Sequence, residues 1–182
     1  SESARVRKPD HQCRFTRINL DKLKPPVVGG VSGKFERYAT PYPDKEPVMH
    51  DAVDIRYLTD DTVSWDAYVQ QHGQATLYHL SPWKHIIEQT FGHTTYYLAA
   101  WQHDQIVGIL PLIFIKSLIF GKFLISLPFF NYAGILANSD DVRKHLLHEA
   151  TRIAGQIGAE HIELRHLEAY EALELPVKTS KV

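Results

Sequence analysis

The sequence predicts an α/β protein with a mixed β-sheet, and three patterns support this prediction. Residues 106–136 form a long apolar stretch, which Lys116 and Lys122 cut into two pieces. Apolar residues then recur between positions 142 and 157 at the spacing of one helix face. From His161 onward, apolar and polar residues alternate with period two, which is typical of a strand with one buried face. Strand and helix patterns that follow one another along the chain in this way indicate an α/β fold.

The apolar stretch is predicted to form two buried strands joined as a hairpin. A membrane-spanning helix needs about 20 consecutive apolar residues, and the two lysines leave no run of that length. Short pieces rich in Ile, Leu and Phe favour strands that are covered on both faces. Pro111 and Pro128 have no N–H for a ladder, so each marks a bulge or an opening in the strand pairing. Because Asn131 and Tyr132 follow Pro128, the opening there is a candidate ligand site, whereas Pro111 leaves a plain bulge and an opening as alternatives.

Length and composition are those of a globular domain. The 182 residues are 44% hydrophobic, which is enough to build a buried core. A formal net charge of -1 gives no basic excess of the kind that marks nucleic-acid-binding domains. The single cysteine, Cys13, permits no intrachain disulfide and fits a reducing compartment. Residues 1–20 contain no apolar signal-peptide core, so we predict a cytoplasmic location.

The first 48 residues are predicted to be an irregular Pro/Gly-rich arm. Prolines at positions 25, 26, 41, 43 and 47 interrupt helices and ladders, and only residues 15–23 have enough apolar content to dock on another element. Basic residues at positions 5, 7, 8, 14 and 17 favour a solvated tail, with contact to an anionic surface as the alternative. We therefore predict an arm at 1–48 and a globular unit at 49–182 that starts near Met49.

Local start and stop signals divide the globular unit into eight helices and strands, with one tight turn between two of the strands. Aspartate or serine caps begin the predicted helices, and glycines end them. The predicted elements are a strand at 55–58, a helix from Asp60 or Asp61 to Gly73, a helix from Ser81 and Pro82 to Gly92, a strand at 94–101, a tight turn at 102–105, the two strands of the hairpin, a helix from the capping cluster 138–141 to Gly158, and a strand from His161. Residues 169–182 hold a short turn and Pro176, so the chain is expected to finish in mid-architecture.

Element order and short segments together resemble a known family. The matching segments are 55–58, 65–69, 75–79, Trp83 with 91–93, 108–112, 128–134 and 162–165. They resemble the FemAB-type proteins associated with the bacterial PEP-CTERM/exosortase system. The order strand, helix, helix, strand, strand, strand, helix, strand is similar to the first part of the GNAT acyltransferase fold. Over residues 54–182, the resemblance implies a partial GNAT-like mixed sheet.

The resemblance implies a cytoplasmic transferase made of two GNAT-like halves. Such enzymes transfer an acyl or aminoacyl group to an amine on a cell-envelope precursor or peptide, and the donor here stays open between aminoacyl-tRNA and acyl-CoA, with no resident cofactor. Because only the first half is matched, this chain is expected to bind the acceptor, to lack its second GNAT half and to be inactive in isolation. The alternative is a non-catalytic binding or scaffold module of an envelope or exopolysaccharide assembly system, which contacts the inner membrane peripherally through residues 118–130 and the arm.

An acyl-CoA site of the usual GNAT kind is not expected. GNATs bind the pyrophosphate with backbone N–H groups of a Gly-rich turn at a helix N-terminus. The segment from Tyr132 to the long helix has no such turn and carries Asp140 and Asp141 where phosphate would lie.

Seven residues are candidates for substrate binding, and no catalytic residue is assigned. Amide formation needs a positioned amine and donors for the developing oxyanion, which Tyr132 and Asn131 are suited to supply. His79, Trp83 and Lys84 flank the start of the second helix, where backbone N–H groups and the helix dipole favour an anionic group. The alternatives are a half-buried strand aromatic for Tyr132, a core anchor for Trp83, a solvated charge for Lys84 and a capping residue for His93. The candidates are His79, Trp83, Lys84, His93, Phe129, Asn131 and Tyr132.

No metal site or nucleophilic motif is predicted. His145 and His148 lie at i and i+3 on the long helix, which is not the His-Glu-x-x-His order of zinc proteases. Cys13 and the serines lack a supporting motif, and the glycines at 29, 30 and 33 lack the strand and helix that a phosphate loop requires.

Overall fold

One mixed β-sheet organises the protein. The computed structural model describes residues 14–20, 52–117, 119, 121–128, 132–166 and 177–181. The helices and strands in these ranges are β1 (Arg14–Asn19), β2 (Asp54–Tyr57), α1 (Thr62–Gln71), α2 (Pro82–Phe91), β3 (Thr94–Gln102), β4 (Gln105–Ser117), β5 (Gly121–Ile125), β6 (Leu136–Ala137), α3 (Asp140–Ile157), β7 (His161–His166) and β8 (Val177–Lys181). A short 3-10 turn, Leu77–His79, separates α1 from α2. The predicted α/β class and mixed sheet are confirmed.

The sheet has the strand order β2-β3-β4-β5-β7-β1-β8, and β6 pairs with β4 next to β5. Among the described strands, β5 and β7 run parallel and the other pairs are antiparallel. The parallel pair follows from the connection between them, since α3 crosses over one face of the sheet and returns the chain to the end at which β5 begins. The sheet is therefore mixed because one helical crossover adds a parallel pair to strands that otherwise pair antiparallel.

The turn between β3 and β4 has the tight geometry predicted for it. His103 and Asp104 both have positive φ, at 47° and 57°, and Gln102 pairs with Gln105. Two central residues with positive φ match the right-handed twist of the flanking strands, and aspartate tolerates this conformation better than most residues.

Helices cover both faces of the sheet, and α3 fills one of them. Its apolar stripe, which includes Leu146, Ala150 and Ile153, packs on the strand residues Leu110 and Leu124. On the opposite face, α1 and α2 bury the following side chains against β3, β4 and β5: Trp65, Val69 and Ile87. The central part of β4 is buried on both faces, as predicted for the apolar stretch. In the described part of the chain, no helix is long and apolar enough to cross a membrane.

The prediction of an irregular arm is wrong for residues 14–19. Strand β1 lies inside the sheet between β7 and β8, and Ile18 is fully buried in the main core. Thr16, Ile18 and Leu20 point inward while Arg17 and Asn19 are exposed, which is the period-two pattern of a strand. The segment is short and precedes a proline-rich region. Its alternation of apolar and polar residues is therefore a weaker signal than the surrounding composition, which predicts irregular structure. The other residues of the predicted arm lie outside the described ranges, apart from Leu20.

Candidate functional site

Strand β5 leaves the sheet at the position where Pro128 predicted an opening. The strand ends at Ile125, and Leu127 has a positive φ of 44° although its side chain is fully buried. A left-handed conformation is uncommon for a residue other than glycine, and it turns the chain away from the strand direction. The prediction of a break at Pro128 is confirmed, and the single second strand predicted for the hairpin is divided into β5 and β6.

Residues at the end of β7 supply the hydrogen bonds that the opened segment has lost. The Arg165 guanidinium donates from Nη1 to the Pro128 carbonyl at 2.6 Å and from Nε and Nη2 to Glu163 at 3.1 and 3.0 Å. The Ser126 hydroxyl accepts the Arg165 backbone N–H at 2.9 Å, and the Ser126 N–H donates to the Glu163 carbonyl at 2.9 Å. At the described start of the opening, Ser126 and Pro128 are thus hydrogen-bonded to β7.

Pro111 lies opposite a gap in the sheet. On one side of β4, Pro111 pairs with Tyr97 of β3 in continuous register. On the other side, β6 pairs with Gly108 and Ile109, and β5 pairs with residues 113–117, so residues 110–112 have no strand partner there among the described residues. The bulge of β4 lies elsewhere, opposite Ala100 and Trp101. Of the two alternatives for Pro111, the opening is therefore the one that the pairing favours.

A buried histidine fixes the segment that follows the opening. The Thr76 hydroxyl donates to the Tyr132 carbonyl at 2.7 Å, and His79 Nε2 lies 3.2 Å from the Gly134 carbonyl. His79 Nδ1 lies 3.1 Å from the Thr76 N–H, so the pattern requires a neutral ring with its proton on Nε2. Burial lowers the pKa of His79 to about 4, and its side chain is 2% exposed. Its ring positions the 132–134 segment through the backbone.

A second buried histidine contacts the same glycine. A Cβ at Gly134 would collide with the His166 ring and would lie 2.9 Å from the Arg165 carbonyl, so only glycine allows this approach. Burial, with a smaller effect from the charge of Arg143, lowers the pKa of His166 to about 3. Two neutral imidazoles therefore flank Gly134, one at its carbonyl and one at its Cα.

Trp83 is the other candidate that lies beside this loop. Its Nε1 donates to the Leu77 carbonyl at 3.0 Å, and its ring lies 6.2 Å from that of Tyr78. Both rings pack on the cluster that contains Leu127 and Ala133. The structure thus brings His79, Trp83 and Tyr132 into one region around the opened strand.

The remaining candidates lie apart from this region or outside the described residues. Lys84 pairs with Glu88 at 2.8 Å, and Glu88 also accepts the Thr95 hydroxyl. His93 stacks on Phe91 at the end of α2, with ring centroids 6.2 Å apart. Phe129 and Asn131 lie outside the described residues. Substrate binding by any of the seven candidates stays a prediction.

The start of α2 already has an anionic partner. Both oxygens of Asp66 accept hydrogen bonds from Ser81, one from the backbone N–H at 2.7 Å and one from the hydroxyl at 2.8 Å. A carboxylate from α1 thus lies where the sequence predicted an anionic ligand. Asp66 was not found from the sequence because the contact joins two helices and has no local pattern.

The start of α3 has the features of an ordinary capped helix. The Ser139 hydroxyl accepts the Val142 N–H at 3.2 Å, and Asp140 pairs with Arg143. The two exposed aspartates of the first turn add negative charge, which opposes a pyrophosphate. The absence of acyl-CoA binding stays a prediction. Among the described residues, no three His, Cys, Asp or Glu side chains are grouped so as to hold a metal ion.

Sequence reasoning missed three residues that shape this region: Thr76, Gly134 and Arg165. Thr76 had a local signal, because it caps the 3-10 turn and forms a reciprocal capping box with His79 three residues later. Arg165 had none, since its contact with Pro128 spans 37 residues.

Comparison with known proteins gives one partial structural similarity. No protein-family model and no curated protein matches the chain. A crystal structure of a functionally unknown conserved protein from Staphylococcus epidermidis ATCC 12228 is similar with a TM-score of 0.42 and 12% sequence identity. The similarity covers 93% of this chain and 58% of that chain, so this chain spans less than two thirds of the length of that protein. A match at this level supports no conclusion on function.

Proposed function

We propose that this chain is the acceptor-binding half of a FemAB-like N-acyltransferase or aminoacyltransferase that acts on a cell-envelope precursor. One observation carries the proposal. The segments 75–79 and 128–134, which both belong to the resemblance, are hydrogen-bonded to each other through Thr76 and His79. Residues that are 55 positions apart in the chain thus form one structural unit next to an opened strand.

The unit has the chemistry to hold an amine. The Pro128 carbonyl accepts a hydrogen bond from Arg165 and the Tyr132 carbonyl accepts one from Thr76, so both present the kind of acceptor that binds an amine N–H. Both residues are half-buried, so they border solvent rather than the deep core. The two flanking histidines are neutral, and the ion pair of Arg165 with Glu163 reduces the repulsion that a protonated amine meets.

The transfer chemistry itself is assigned to a second GNAT half and an acyl or aminoacyl donor. The buried histidines are held by backbone groups or packed on Gly134, which fits positioning better than general base catalysis. The chain alone is therefore expected to bind an amine acceptor without turnover. The cytoplasmic face of the inner membrane, where envelope precursors are assembled, is the proposed location.

Calorimetric titration with a lysine-containing peptide tests the proposal. We expect the peptide to bind and its Nε-acetylated form to bind at least about tenfold more weakly, because acetylation removes the charge and N–H donors of the amine. Tyr132→Phe keeps the carbonyl and is expected to weaken binding about fivefold, since we propose that the Tyr132 hydroxyl adds one hydrogen bond to the peptide. Tyr96→Phe, a half-buried tyrosine on the α3 face of β3, is the matched control.

Two results would contradict the proposal. Equal affinity for the free and acetylated peptides would exclude an amine acceptor site. Turnover by the isolated chain with charged tRNA or acetyl-CoA would show that it is a complete enzyme rather than one half.

A non-catalytic binding or scaffold module is the second candidate. The exposed apolar residue Ile119, at the tip of the β4–β5 hairpin, favours this candidate. An acceptor site does not require an exposed isoleucine there, whereas a binding surface can use one. Amine binding by the peptide would favour the transferase half over the module.

A further inference from the structure

The tip of the β4–β5 hairpin combines an exposed apolar residue with two lysines. Ser117 pairs with Gly121 to close the hairpin, and Ile119 at its tip is 85% exposed. Lys116 and Lys122 are direct cross-strand partners one step below, and both are exposed. In the sequence, the residues on either side of Ile119 are leucine and phenylalanine.

The two lysines are unfavourable neighbours in the isolated protein. Directly opposed residues of an antiparallel pair lie on the same face with Cβ atoms about 5 Å apart, and like charges in this arrangement repel. Within the described residues, neither ammonium group forms a salt bridge. The Glu160 carboxylate accepts the Lys122 backbone N–H at 3.3 Å, so among the described residues it lies near the two lysines. An additional anionic partner would relieve the repulsion between the two ammonium groups.

We propose that this hairpin tip docks on an anionic lipid surface, with Ile119 in the interfacial layer and Lys116 and Lys122 among the headgroups. An apolar side chain gains free energy when it enters the acyl boundary, and lysines gain free energy from anionic headgroups. A partner that requires only one apolar side chain and two cations fits this tip better than a protein, because a stable protein interface buries about 800 Å² on each side. The inference does not depend on the transferase proposal.

Flotation of the full chain with lipid vesicles tests this inference. We expect binding to vesicles of equal parts phosphatidylglycerol and phosphatidylcholine, and at least about tenfold weaker binding to phosphatidylcholine alone. The double variant Lys116→Gln and Lys122→Gln is expected to lose about 25-fold in affinity, since each lysine contributes about fivefold. Ile119→Ser is expected to weaken binding and Ile119→Trp to tighten it, because tryptophan prefers the interface.

Matched exposed residues control for general effects of charge and hydrophobicity. Lys144→Gln on α3 and Val63→Ser on α1, where Val63 is 80% exposed, are expected to bind vesicles like the unchanged chain. Neutral substitutions at the basic positions 5, 7 and 8 test the N-terminal residues without removing β1.

Three outcomes would overturn the inference. The first is an absence of vesicle binding by the full chain. The second is binding that the hairpin variants leave unchanged while the substitutions at 5, 7 and 8 abolish it. The third is equal binding to neutral and anionic vesicles. Since the readout is lipid binding, failure here leaves the peptide titration unaffected.

Discussion

Gly134 is the residue around which the candidate site is packed. Its carbonyl lies 3.2 Å from His79 Nε2, and its Cα faces the His166 ring. A side chain at this position would separate β7 from the loop that His79 fixes. The absence of a side chain at Gly134 thus determines how closely β7, the 132–134 segment and the turn that carries His79 approach one another.

We expect Gly134→Ala to lower the free energy of unfolding by about 2–3 kcal/mol, because the new methyl group overlaps the His166 ring and the Arg165 carbonyl. Gly155→Ala is the matched control. It lies inside α3 with nothing within 4 Å of the new Cβ, so it should raise stability by about 0.5–1 kcal/mol. Urea unfolding measures both variants, and equal effects at the two glycines would contradict the packing argument.

The two buried histidines predict a loss of stability in mild acid. Burial lowers the pKa of His79 to about 4 and of His166 to about 3, whereas an unfolded histidine has a pKa of about 6.5. The folded state binds fewer protons, so the stabilisation is complete above pH 6.5 and declines as the pH falls towards 4 and then 3. We expect a loss of about 2 kcal/mol between pH 7 and pH 5.5, measured by urea unfolding. His79→Gln should remove about half of this pH dependence. An unchanged dependence in that variant would show that His79 does not contribute to the acid sensitivity.

Residue positions were predictable from sequence where the signal is local. Gly92 and Gly158 were predicted to end their helices, and each is the C-cap in the structure. Asp60 and Asp61 were the two candidates for the start of α1, and Asp61 is its N-cap. The reason is that a cap acts within one helical turn. The contact of His79 with Gly134 spans 55 residues, so the sequence indicated His79 as a candidate but not its partner.

At the scale of elements, the end of β5 depends on β7. Arg165 is 15% exposed in its side chain and contacts both the Pro128 carbonyl and Glu163. A planar guanidinium can donate to two acceptors in fixed directions, which a lysine ammonium at the same place cannot reproduce. The segment 126–128 is therefore held in its open conformation by a residue of another strand.

We expect Arg165→Met to lower the free energy of unfolding by about 2–3 kcal/mol, since it removes charge-assisted hydrogen bonds in a mostly buried place. Arg165→Lys should recover only part of this loss. Hydrogen exchange of the amides of residues 126, 127 and 132–135 should become faster in both variants, as measured by mass spectrometry. Arg152→Met is the control, because Arg152 pairs with Glu149 on the exposed side of α3 and is 44% exposed. Equal exchange in Arg165→Met and Arg152→Met would contradict the role of Arg165.

Elements with a long or regular pattern were predictable, and those defined by pairing were not. Helix α3 has 18 residues and shows an apolar stripe, and β4 is a long apolar run. Each pattern is therefore long enough to outweigh the preferences of single residues. In contrast, β6 has two residues and exists because it pairs with Gly108 and Ile109. Nothing in a two-residue segment specifies such a partner.

At the scale of the whole molecule, the sheet joins distant parts of the chain. Strand β1 pairs with β7 in the register Ile18 to Ile162 and with β8 in the register Ile18 to Val177. The N-terminal segment therefore lies between the last two described strands. A globular unit that starts at Met49 would lack β1, the strand that pairs with both β7 and β8.

We expect Ile18→Ala to lower the free energy of unfolding by about 2–4 kcal/mol, because Ile18 is fully buried in the main core and a cavity remains after truncation. The neighbouring Arg17→Ala is the control. Arg17 points to the other side of β1, is 52% exposed and pairs loosely with Glu163, so its loss should cost less than about 1 kcal/mol. A chain that starts at Met49 should show no cooperative urea transition, since β7 and β8 lose their shared partner. A cooperative transition with an unchanged midpoint in that shortened chain would show that β1 is dispensable and that the globular unit does begin near Met49.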